Sequence, residues 1–422
     1  MPVSTTRLKI KGLGPIGDGI AKPGPVFVER TAPGDTILAR VRRDAKGIQR
    51  GEVVEVVTPS PLRQKPPCRH YDDCGNCTLQ HLAPDYYYKW KAETVESILK
   101  KQNVVPQRWL EPVLVGESQR RRATLSALKI TQNRVLIGYY KRRSDRITDI
   151  KECLIAHPKL LKLRSALRPY LVELLNIGRS VDVFIQLSGD EVDVLLTGEV
   201  GRAGYVDAFV KTKLVKMAED LELARVSWRI GYGEFPVVIC RRTQVIGHFG
   251  TLQVPLPPGA FLQPTQAGEI ALSAGVERAF PRSGYFADLF AGCGSFSGRL
   301  ENRGKVDAFE IEGAAVSALA KSSGTNLRAY RRDLLQRPLK ARELNRYDGV
   351  VFDPPRCGCE EQAREMAICR VPTIVSVSCN PLTFARDAAI LIRGGYQLES
   401  VQMVDQFLWS HHIELVGVFR RK

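Results

Sequence analysis

The chain has 422 residues, 44% of them hydrophobic, so it is long enough to bury cores in two or three domains. Lysine and arginine number 62 against 45 acidic residues, and the net charge of +17 favours a nucleic acid as partner. No apolar run reaches the roughly 18 residues of a membrane span, and Met1–Arg7 lacks the apolar core of a signal peptide. We therefore expect a cytoplasmic protein with no membrane partner and no obligate protein partner.

Residues 1–62 are predicted to form a small β-barrel. Glycines such as Gly17 and Gly19 indicate turns between strand-like runs. These runs are Leu8–Ile10, Val26–Val28, Thr36–Val41 and Glu52–Val57. Basic residues exceed acidic ones in this segment, and basic five-stranded barrels commonly bind RNA. A purely structural cap is the alternative.

Four cysteines in the next segment have the pattern of a metal site. Cys68, Cys74 and Cys77 lie within ten residues, and Cys153 follows much later in the chain. In a reducing cytosol such spacing indicates metal binding or catalysis rather than disulfides. Four thiolates can close a tetrahedral zinc site or hold an iron–sulfur cluster, and the spacing alone does not choose between them. A thioredoxin-like pair is disfavoured because no βαβ pattern surrounds Cys74 and Cys77.

Residues 63–254 are predicted to form a central α+β domain. Its predicted helices and strands are Tyr86–Gln102, Pro158–Leu175, Val181–Leu187, Val192–Leu196, Val226–Ile230 and Val237–Arg241. Two basic clusters, Arg120–Arg122 and Lys141–Arg143, are suited to phosphate contacts or to a solvated face. Tyr86–Tyr88 and Trp90 could stack on bases, although packing is the commoner role of such residues.

Residues 255–422 change to repeated strand–loop–helix units, which predict a doubly wound, mostly parallel sheet. The strands are Tyr285–Phe290, Val306–Glu310, Asp348–Asp353 and Thr373–Ser378. Gly292 and Gly294 follow the first strand and let a ligand approach the backbone. Glu310 ends the second strand, where a carboxylate can bind ribose hydroxyls. A dinucleotide fingerprint would need glycine at position 297, where Ser297 stands, so S-adenosylmethionine fits better than NAD.

A cysteine follows the last of these strands in the sequence Ser378-Cys379-Asn380-Pro381, before a predicted helix at Leu382–Arg393. Open α/β sheets bind ligands at the carboxyl ends of their strands. A thiolate there can act as a nucleophile. The alternative is a buried structural cysteine.

Two carboxylates are the other candidate catalytic groups. Asp353 precedes Pro354-Pro355, which stiffen the turn and orient the aspartate. Arg356 then stands where methyltransferases acting on exocyclic amines usually carry an aromatic residue, which argues against that chemistry. Glu414 opens an otherwise apolar run, and a buried glutamate with a raised pKa can act as a general base. The alternative is a glutamate paired with an arginine.

Together these residues resemble the RNA (uracil-5-)-methyltransferase family, and specifically its TRAM-containing 23S ribosomal RNA branch. The most specific part is Ser378–Pro381 followed by Arg386-Asp387. The resemblance covers nearly the whole chain. It implies a TRAM-like, RNA-binding barrel at residues 1–62, a [4Fe–4S] cluster on the four cysteines, and a doubly wound S-adenosylmethionine-dependent methyltransferase domain at residues 255–422.

By this resemblance Cys379 is the nucleophile and Glu414 the base. The cofactor-binding positions are Gln263, Phe290, Ser295, Glu310, Asp333 and Asp353. Three departures from the family pattern bear on target choice: Thr265 replaces an asparagine, Phe290 replaces a frequent tyrosine, and Leu408–Ser410 replaces Pro-His-Thr.

The resemblance implies methylation of C5 of a uridine, most simply in 23S ribosomal RNA, through a covalent bond between Cys379 and C6. Transfer RNA is the alternative substrate. A non-catalytic RNA-binding assembly factor is a second alternative, disfavoured by the retention of Cys379, Glu414 and Asp353. An iron–sulfur redox protein is a third, disfavoured by the glycine-containing cofactor loop.

Overall fold

The computed structural model describes residues 5–22 and 24–421, and the chain falls into two compact units. The first unit comprises Met1–Ser97, Tyr140–Asp145 and Phe407–His412, and the second comprises Ile98–Tyr139, Arg146–Gln406 and Ile413–Lys422. Parts of the predicted N-terminal barrel, Met1–Ser4 and Pro23, and the last residue of the predicted C-terminal domain, Lys422, lie outside the described residues. The domain boundaries expected from the sequence, after residues 62 and 254, stay predictions.

The first unit contains a closed five-stranded barrel, which confirms the predicted fold of this segment. Its strands are β1 (Thr5–Leu13), β2 (Gly19–Lys22), β3 (Val26–Val28), β4 (Thr36–Arg43) and β5 (Gln49–Thr58), arranged in the order β1-β2-β3-β5-β4. Alternate residues such as Leu8, Ile10, Ile37 and Ala39 fill the interior. Gly19 was predicted in a turn but begins β2, and glycine is required there by close packing, since a Cβ would overlap the Thr31 hydroxyl.

The helix α1 (Pro84–Lys101) packs its aromatic residues inside the first unit. Tyr87 and Trp90 are buried against Leu79 and Leu82, so these two side chains have a packing role. No helix in the described part of the chain is long and apolar enough to cross a membrane.

Arg142 and Arg143, from the basic cluster Lys141–Arg143, form ion pairs with the barrel. Asp18 is buried, and its carboxylate lies 2.7 Å from Arg142 Nη2 and 3.1 Å from Arg143 Nη2. Glu29 also pairs with both arginines. These guanidinium groups therefore compensate a buried carboxylate of the barrel.

The second unit begins with a mixed seven-stranded sheet in the order β13-β12-β11-β10-β7-β8-β9. The elements of this part of the chain are β6 (Arg108–Leu114), β7 (Arg122–Thr131), β8 (Arg134–Tyr140), β9 (Ile147–Asp149), α2 (Pro158–Ala166), α3 (Arg168–Leu174), β10 (Ser180–Ser188), β11 (Glu191–Thr197), α4 (Ala208–Asp220), β12 (Arg225–Arg229) and β13 (Val237–Arg241). The predicted hairpin of β10 and β11 is confirmed, with Gly189 at a φ of 60° in its turn. The single helix predicted at Pro158–Leu175 is wrong, because Pro169 lacks the N–H needed to continue α2.

A two-stranded sheet and an eight-stranded sheet complete the second unit. Their elements are β14 (Ile246–Phe249), β15 (Leu252–Pro255), α5 (Gln266–Ala279), β16 (Gly284–Leu289), α6 (Ser297–Leu300), a 3₁₀ turn (Glu301–Arg303), β17 (Gly304–Glu310), α7 (Gly313–Ser322), β18 (Leu327–Arg331), α8 (Ala341–Leu344), β19 (Gly349–Phe352), α9 (Glu360–Ile368), β20 (Thr373–Ser378), α10 (Pro381–Arg393), β21 (Tyr396–Asp405) and β22 (Glu414–Arg421). The large sheet has the order β18-β17-β16-β19-β20-β22-β21-β6. The predicted doubly wound fold is confirmed.

The strand order of the large sheet defines where a ligand can bind. From β16 the chain adds β17 and β18 on one side, and then returns to add β19 and β20 on the other. Open α/β sheets bind ligands at such a switch point, outside the carboxyl ends of the strands. The antiparallel strand β22 then inserts between β20 and β21.

A buried ion pair joins two strands of the seven-stranded sheet and gives a stability prediction. Asp193 and Arg225 are almost completely buried and form two hydrogen bonds of 2.9 and 2.7 Å. Asp193→Ala leaves the guanidinium buried without its carboxylate, and we expect a loss of about 3–5 kcal/mol in the free energy of unfolding by urea. The control Glu361→Ala removes a largely exposed partner of Arg364 and should change it by less than about 1 kcal/mol. Equal effects of the two substitutions would contradict the prediction.

Candidate active site

Strand pairing brings the predicted nucleophile and base together. β20 and β22 run antiparallel, with Ser378 opposite Leu415. Extending this register by one residue sets Cys379 beside Glu414, the first residue of β22. Asn380 caps the following helix, since its side chain accepts a hydrogen bond from the Leu382 N–H. The thiol and the carboxyl group are therefore held at the same edge of the sheet by regular secondary structure.

Two carboxyl groups of this site have raised pKa values. Glu414 is 4% exposed, and its pKa is raised mainly by burial and further by the charge of Asp353. Burial also raises the pKa of Asp353, which directly follows β19. A raised pKa brings a carboxyl group closer to neutral pH, where a general base exchanges protons most effectively.

The thiol of Cys379 is half-buried, and its pKa is raised to about 11. Burial is the main cause, and the negative charges of Glu414 and Asp353 add to it. The charge of Arg356 acts in the opposite direction. Because the thiolate is the reactive form, this cysteine needs a proton acceptor or a compensating positive charge before it can attack.

Four predicted cofactor residues lie at the carboxyl ends of adjacent parallel strands. Phe290 follows β16, Glu310 ends β17, Asp333 follows β18 and Asp353 follows β19. This is the ligand-binding edge that the strand order predicts. Ser295 lies half-buried in the loop between β16 and α6.

Backbone contacts fix the shape of the loop that follows β16. Gly292 N–H donates to Glu310 Oε2 at 2.9 Å, and the N–H groups of Ile311 and Glu312 donate to the other oxygen. Phe290 has a φ of 63°, a left-handed conformation that is strained for a residue with a side chain. Such strain is commonly retained at binding sites. The carboxylate of Asp333 accepts hydrogen bonds from two backbone N–H groups of its own turn.

Gln263 reaches this edge from the segment before α5. Its side chain is buried, and Nε2 lies 3.4 Å from Asp353 Oδ2. Arg121 orients the same segment by donating to the Gln263 carbonyl oxygen and pairing with Glu269. A phosphate contact of Arg121 stays a prediction, and in the structure this side chain holds the segment that carries Gln263.

Asp288 is a further candidate residue of the site that the sequence motifs missed. Its side chain is fully buried in β16, and Oδ2 accepts a hydrogen bond from Ser297 Oγ at 2.6 Å. Within the described residues Oδ1 has no hydrogen-bond partner. Burial raises the pKa of this carboxyl group to about 7, and the charges of Asp353 and Glu310 add to the effect. An unsatisfied acceptor beside two further carboxyl groups fits a ligand with positive charge, as S-adenosylmethionine carries.

Arg122 and Phe261 were also missed. The Arg122 guanidinium lies over the Phe261 ring, 4.1 Å from its centre. Burial lowers the pKa of Arg122 to about 10, and its charge acts on Glu414. Phe261 is more than half exposed. A cation held on an exposed aromatic ring beside the base offers a surface for a flat, polar ligand.

The predicted metal ligands are divided between the two units. Cys68, Cys74 and Cys77 lie half-buried in a loop of the first unit, and Cys153 lies half-buried in the second. The loop is tightly turned, since Cys74 N–H donates to the His70 carbonyl at 2.7 Å. Across the described residues, no group of three or more His, Cys, Asp or Glu side chains has a geometry that could hold a metal ion. The metal site stays a prediction.

The sequence of this chain is similar to those of known RNA methyltransferases. Residues 258–422 match the family model of tRNA (uracil-5-)-methyltransferase. The chain is 38% identical to an RNA methyltransferase of Mesorhizobium japonicum over 98% of both chains. It is also 32% identical to a 23S rRNA (uracil(1939)-C(5))-methyltransferase of Halomonas elongata, over 97% of this chain and 88% of that protein. The chain belongs to the RNA (uracil-5-)-methyltransferase family. The family resemblance found in the sequence is thereby confirmed.

A solved structure shares the fold of this family member along its whole length. The crystal structure of Pyrococcus abyssi tRNA (uracil-54, C5)-methyltransferase, in complex with S-adenosyl-L-homocysteine, aligns with a TM-score of 0.77. The alignment covers 98% of this chain and 99% of that one, at 23% sequence identity. The prediction that the chain is an enzyme with a methyltransferase fold is confirmed.

The raised pKa of Cys379 gives a chemical test of the site. Burial and the neighbouring carboxylates disfavour the thiolate, so alkylation by iodoacetamide should accelerate about tenfold per pH unit from pH 8 to 10. Glu414→Gln removes one of the negative charges and should speed alkylation at a given pH. Peptide mass spectrometry follows Cys379, and the exposed Cys357 of the same sample is the internal control. A rate that is already constant at pH 8 would contradict the electrostatic description.

Proposed function

We propose that the protein methylates C5 of a uridine in RNA, with S-adenosylmethionine as the methyl donor. The observation that carries this proposal is the register of β20 and β22, which sets Cys379 beside Glu414 at the ligand-binding edge of the sheet. Asp353 lies at the end of the neighbouring strand, and Asp288 supplies an unsatisfied buried acceptor. A thiol, a base and a cation-binding edge are the groups that this reaction requires.

Cys379 and Glu414 act in different steps of the proposed reaction. C5 of uracil is a poor nucleophile, and addition of the Cys379 thiolate to C6 turns C5 into the nucleophilic carbon of an enolate. S-adenosylmethionine, when bound, would supply an electrophilic methyl group to that carbon and leave as S-adenosylhomocysteine. Glu414 then takes the proton from C5, and the electron pair of the C–H bond restores the C5–C6 double bond as Cys379 leaves. The enzyme thus recovers its thiolate, and the proton remains on Glu414.

Ribosomal RNA is the substrate we favour. The 23S rRNA methyltransferase of Halomonas elongata is similar along nearly the whole chain, and the N-terminal barrel suits RNA binding. Transfer RNA is the rival substrate, supported by the fold shared with the Pyrococcus abyssi enzyme. A cytoplasmic location is part of the same proposal, because a reducing compartment keeps the ten cysteines as thiols.

Mapping 5-methyluridine in a deletion strain tests activity and target together. Loss of 5-methyluridine from one position of 23S ribosomal RNA, restored by the wild-type gene and not by Cys379→Ala, is the expected result. Loss from transfer RNA instead would select the rival substrate. An unchanged modification pattern in both RNAs, together with no methyl transfer by the purified protein, would reject the proposed activity and favour a non-catalytic RNA-binding factor.

We also propose that Cys68, Cys74, Cys77 and Cys153 hold a [4Fe–4S] cluster. The donor set fits, since four thiolates are the usual ligands of such clusters. Protein purified without oxygen should be brown and contain about four irons per chain. Cys77→Ala should lose most of the iron, whereas the control Cys357→Ala should keep it. Stoichiometric zinc without iron or sulfide in the anaerobic protein would overturn the cluster in favour of a zinc site.

Glu414→Gln separates a catalytic base from a structural carboxyl group. Glutamine keeps nearly the same shape, so the loss of packing should be small. The steps before proton removal can still proceed, and ordinary RNA should accumulate as a methylated covalent complex on a denaturing gel. Glu414→Asp, which keeps a carboxyl group, should turn over slowly and accumulate less. A folded Glu414→Gln variant with normal turnover would exclude Glu414 as the required base.

A further inference from the structure

Three buried side chains, those of Gln406, Gln263 and Thr265, form one polar network with the candidate base and the half-buried Asp353. Gln406 Nε2 donates to Gln263 Oε1 at 2.8 Å and lies 3.4 Å from Glu414 Oε1. Gln263 Nε2 in turn lies 3.4 Å from Asp353 Oδ2. Thr265 Oγ1 lies 3.3 Å from Gln406 Oε1. The Gln406 amide thus contacts both Glu414 and Gln263, and Gln263 in turn contacts Asp353.

The hydrogen bonds at Thr265 assign the orientation of the Gln406 amide. Thr265 caps α5, because its hydroxyl oxygen accepts a hydrogen bond from the Gly268 N–H at 3.0 Å. Its own proton is then available for Gln406 Oε1. The amide nitrogen of Gln406 must therefore face Gln263 and Glu414, which are both acceptors in this arrangement.

Space for this amide is provided by a glycine in the first turn of α5. A Cβ at Gly268 would overlap Gln406 Oε1 and would stand 2.8 Å from Cδ of the same side chain. Gly268 is buried and lies inside a regular helix, where glycine is less favourable than alanine. Glycine makes this helix less stable than alanine would, but it leaves the space that the Gln406 amide occupies.

We propose that Gln406 is a positioning residue for the methyl-transfer site, whose amide fixes the Glu414 carboxyl group and links it through Gln263 to Asp353. This inference rests on the proposed function. Oε1 of Glu414 is held by the amide, so Oε2 remains to receive the proton from C5. Donation from Gln406 also favours the ionised form of Glu414, which is the form that can act as a base.

The charges around Glu414 determine the expected effect on pH dependence. Asp353 at the end of β19 raises the pKa of Glu414, and Arg356 and Arg122 lower it. Cys379 beside β20 interacts with the same carboxyl group. The hydrogen bond from Gln406 lowers the Glu414 pKa, so its removal raises that pKa. The ionised fraction at a given pH then falls, and the acid limb of the rate profile moves to higher pH.

Gln406→Met is the central variant, because methionine has nearly the same length and volume but cannot donate the hydrogen bond. With RNA and S-adenosylmethionine both saturating, we expect the turnover number to fall about tenfold near pH 6.5 and to approach the wild-type value near pH 9. The KM for RNA should stay within about threefold. Uridine deuterated at C5 should give a larger isotope effect on turnover than in the wild type, because removal of the C5 proton becomes slower.

Gln362→Met is the matched control. Gln362 is also fully buried, and its amide makes two hydrogen bonds, both to the backbone of Leu339. The variant therefore loses a comparable pair of buried hydrogen bonds, and neither of them reaches a residue of the candidate site. This variant should lower the melting temperature but keep the wild-type pH profile and isotope effect, when rates are expressed per folded enzyme.

Gly268→Ala keeps Gln406 but crowds its amide and the Thr265 hydroxyl that orients it, so it remains informative if Gln406→Met fails to fold. It should move the pH profile in the same direction as Gln406→Met. Wild-type pH profiles and isotope effects in folded Gln406→Met or Gly268→Ala would overturn the positioning role while leaving the proposed function intact. A wild-type enzyme that forms no 5-methyluridine would instead reject the proposed function, and the positioning role with it.

Discussion

The pairing of β22 with β20 is the constraint on which the candidate chemistry depends. Side chains alternate between the two faces of a strand, so a shift of one residue would turn Glu414 away from Cys379. The register is maintained by buried residues on both strands, including Val375, Val377 and Val416. A core made of apolar side chains thus determines the placement of two polar groups.

Burial at this edge of the sheet gives the site its electrostatic character. Asp288 and Glu414 are buried and Asp353 is half-buried, and loss of solvent raises the pKa of each. Carboxyl groups crowded in this way favour a positively charged ligand, which would reduce their mutual repulsion. The same charges disfavour the Cys379 thiolate. Ionisation of this thiol is therefore expected to depend on which ligands are bound.

Strands and helices with a clear local residue pattern could be predicted from the sequence. β20 was predicted with its observed bounds, because Thr373–Ser378 is a short, largely apolar run before a proline-capped helix. β18 was missed, since Leu327–Arg331 is a five-residue edge strand that contains two arginines and no long apolar run. β6 was missed because its partner, β21, lies almost 300 residues further along the chain. Pairing over that distance leaves no local signal.

Some residues of the candidate site can also be predicted from the sequence, and others cannot. Cys379, Asp353 and Glu414 stand in motifs that a sequence can reveal, and Asp288 could have been found as the one charged residue within an apolar strand. Gln406 could not have been found. Its importance comes from Gln263 and Thr265, which lie more than 140 residues earlier in the chain. Only the folded structure brings these amides, the hydroxyl and the base together.

The central claim is that Cys379 forms a bond to C6 of a uridine during methyl transfer. RNA that carries 5-fluorouridine at the target position tests it most directly, because fluorine cannot leave C5 as a proton does. The account predicts a complex that survives denaturation, contains the transferred methyl group, and yields on digestion a nucleotide attached to the peptide containing Cys379. Attachment to another residue, or full turnover with no trapped complex, would contradict it.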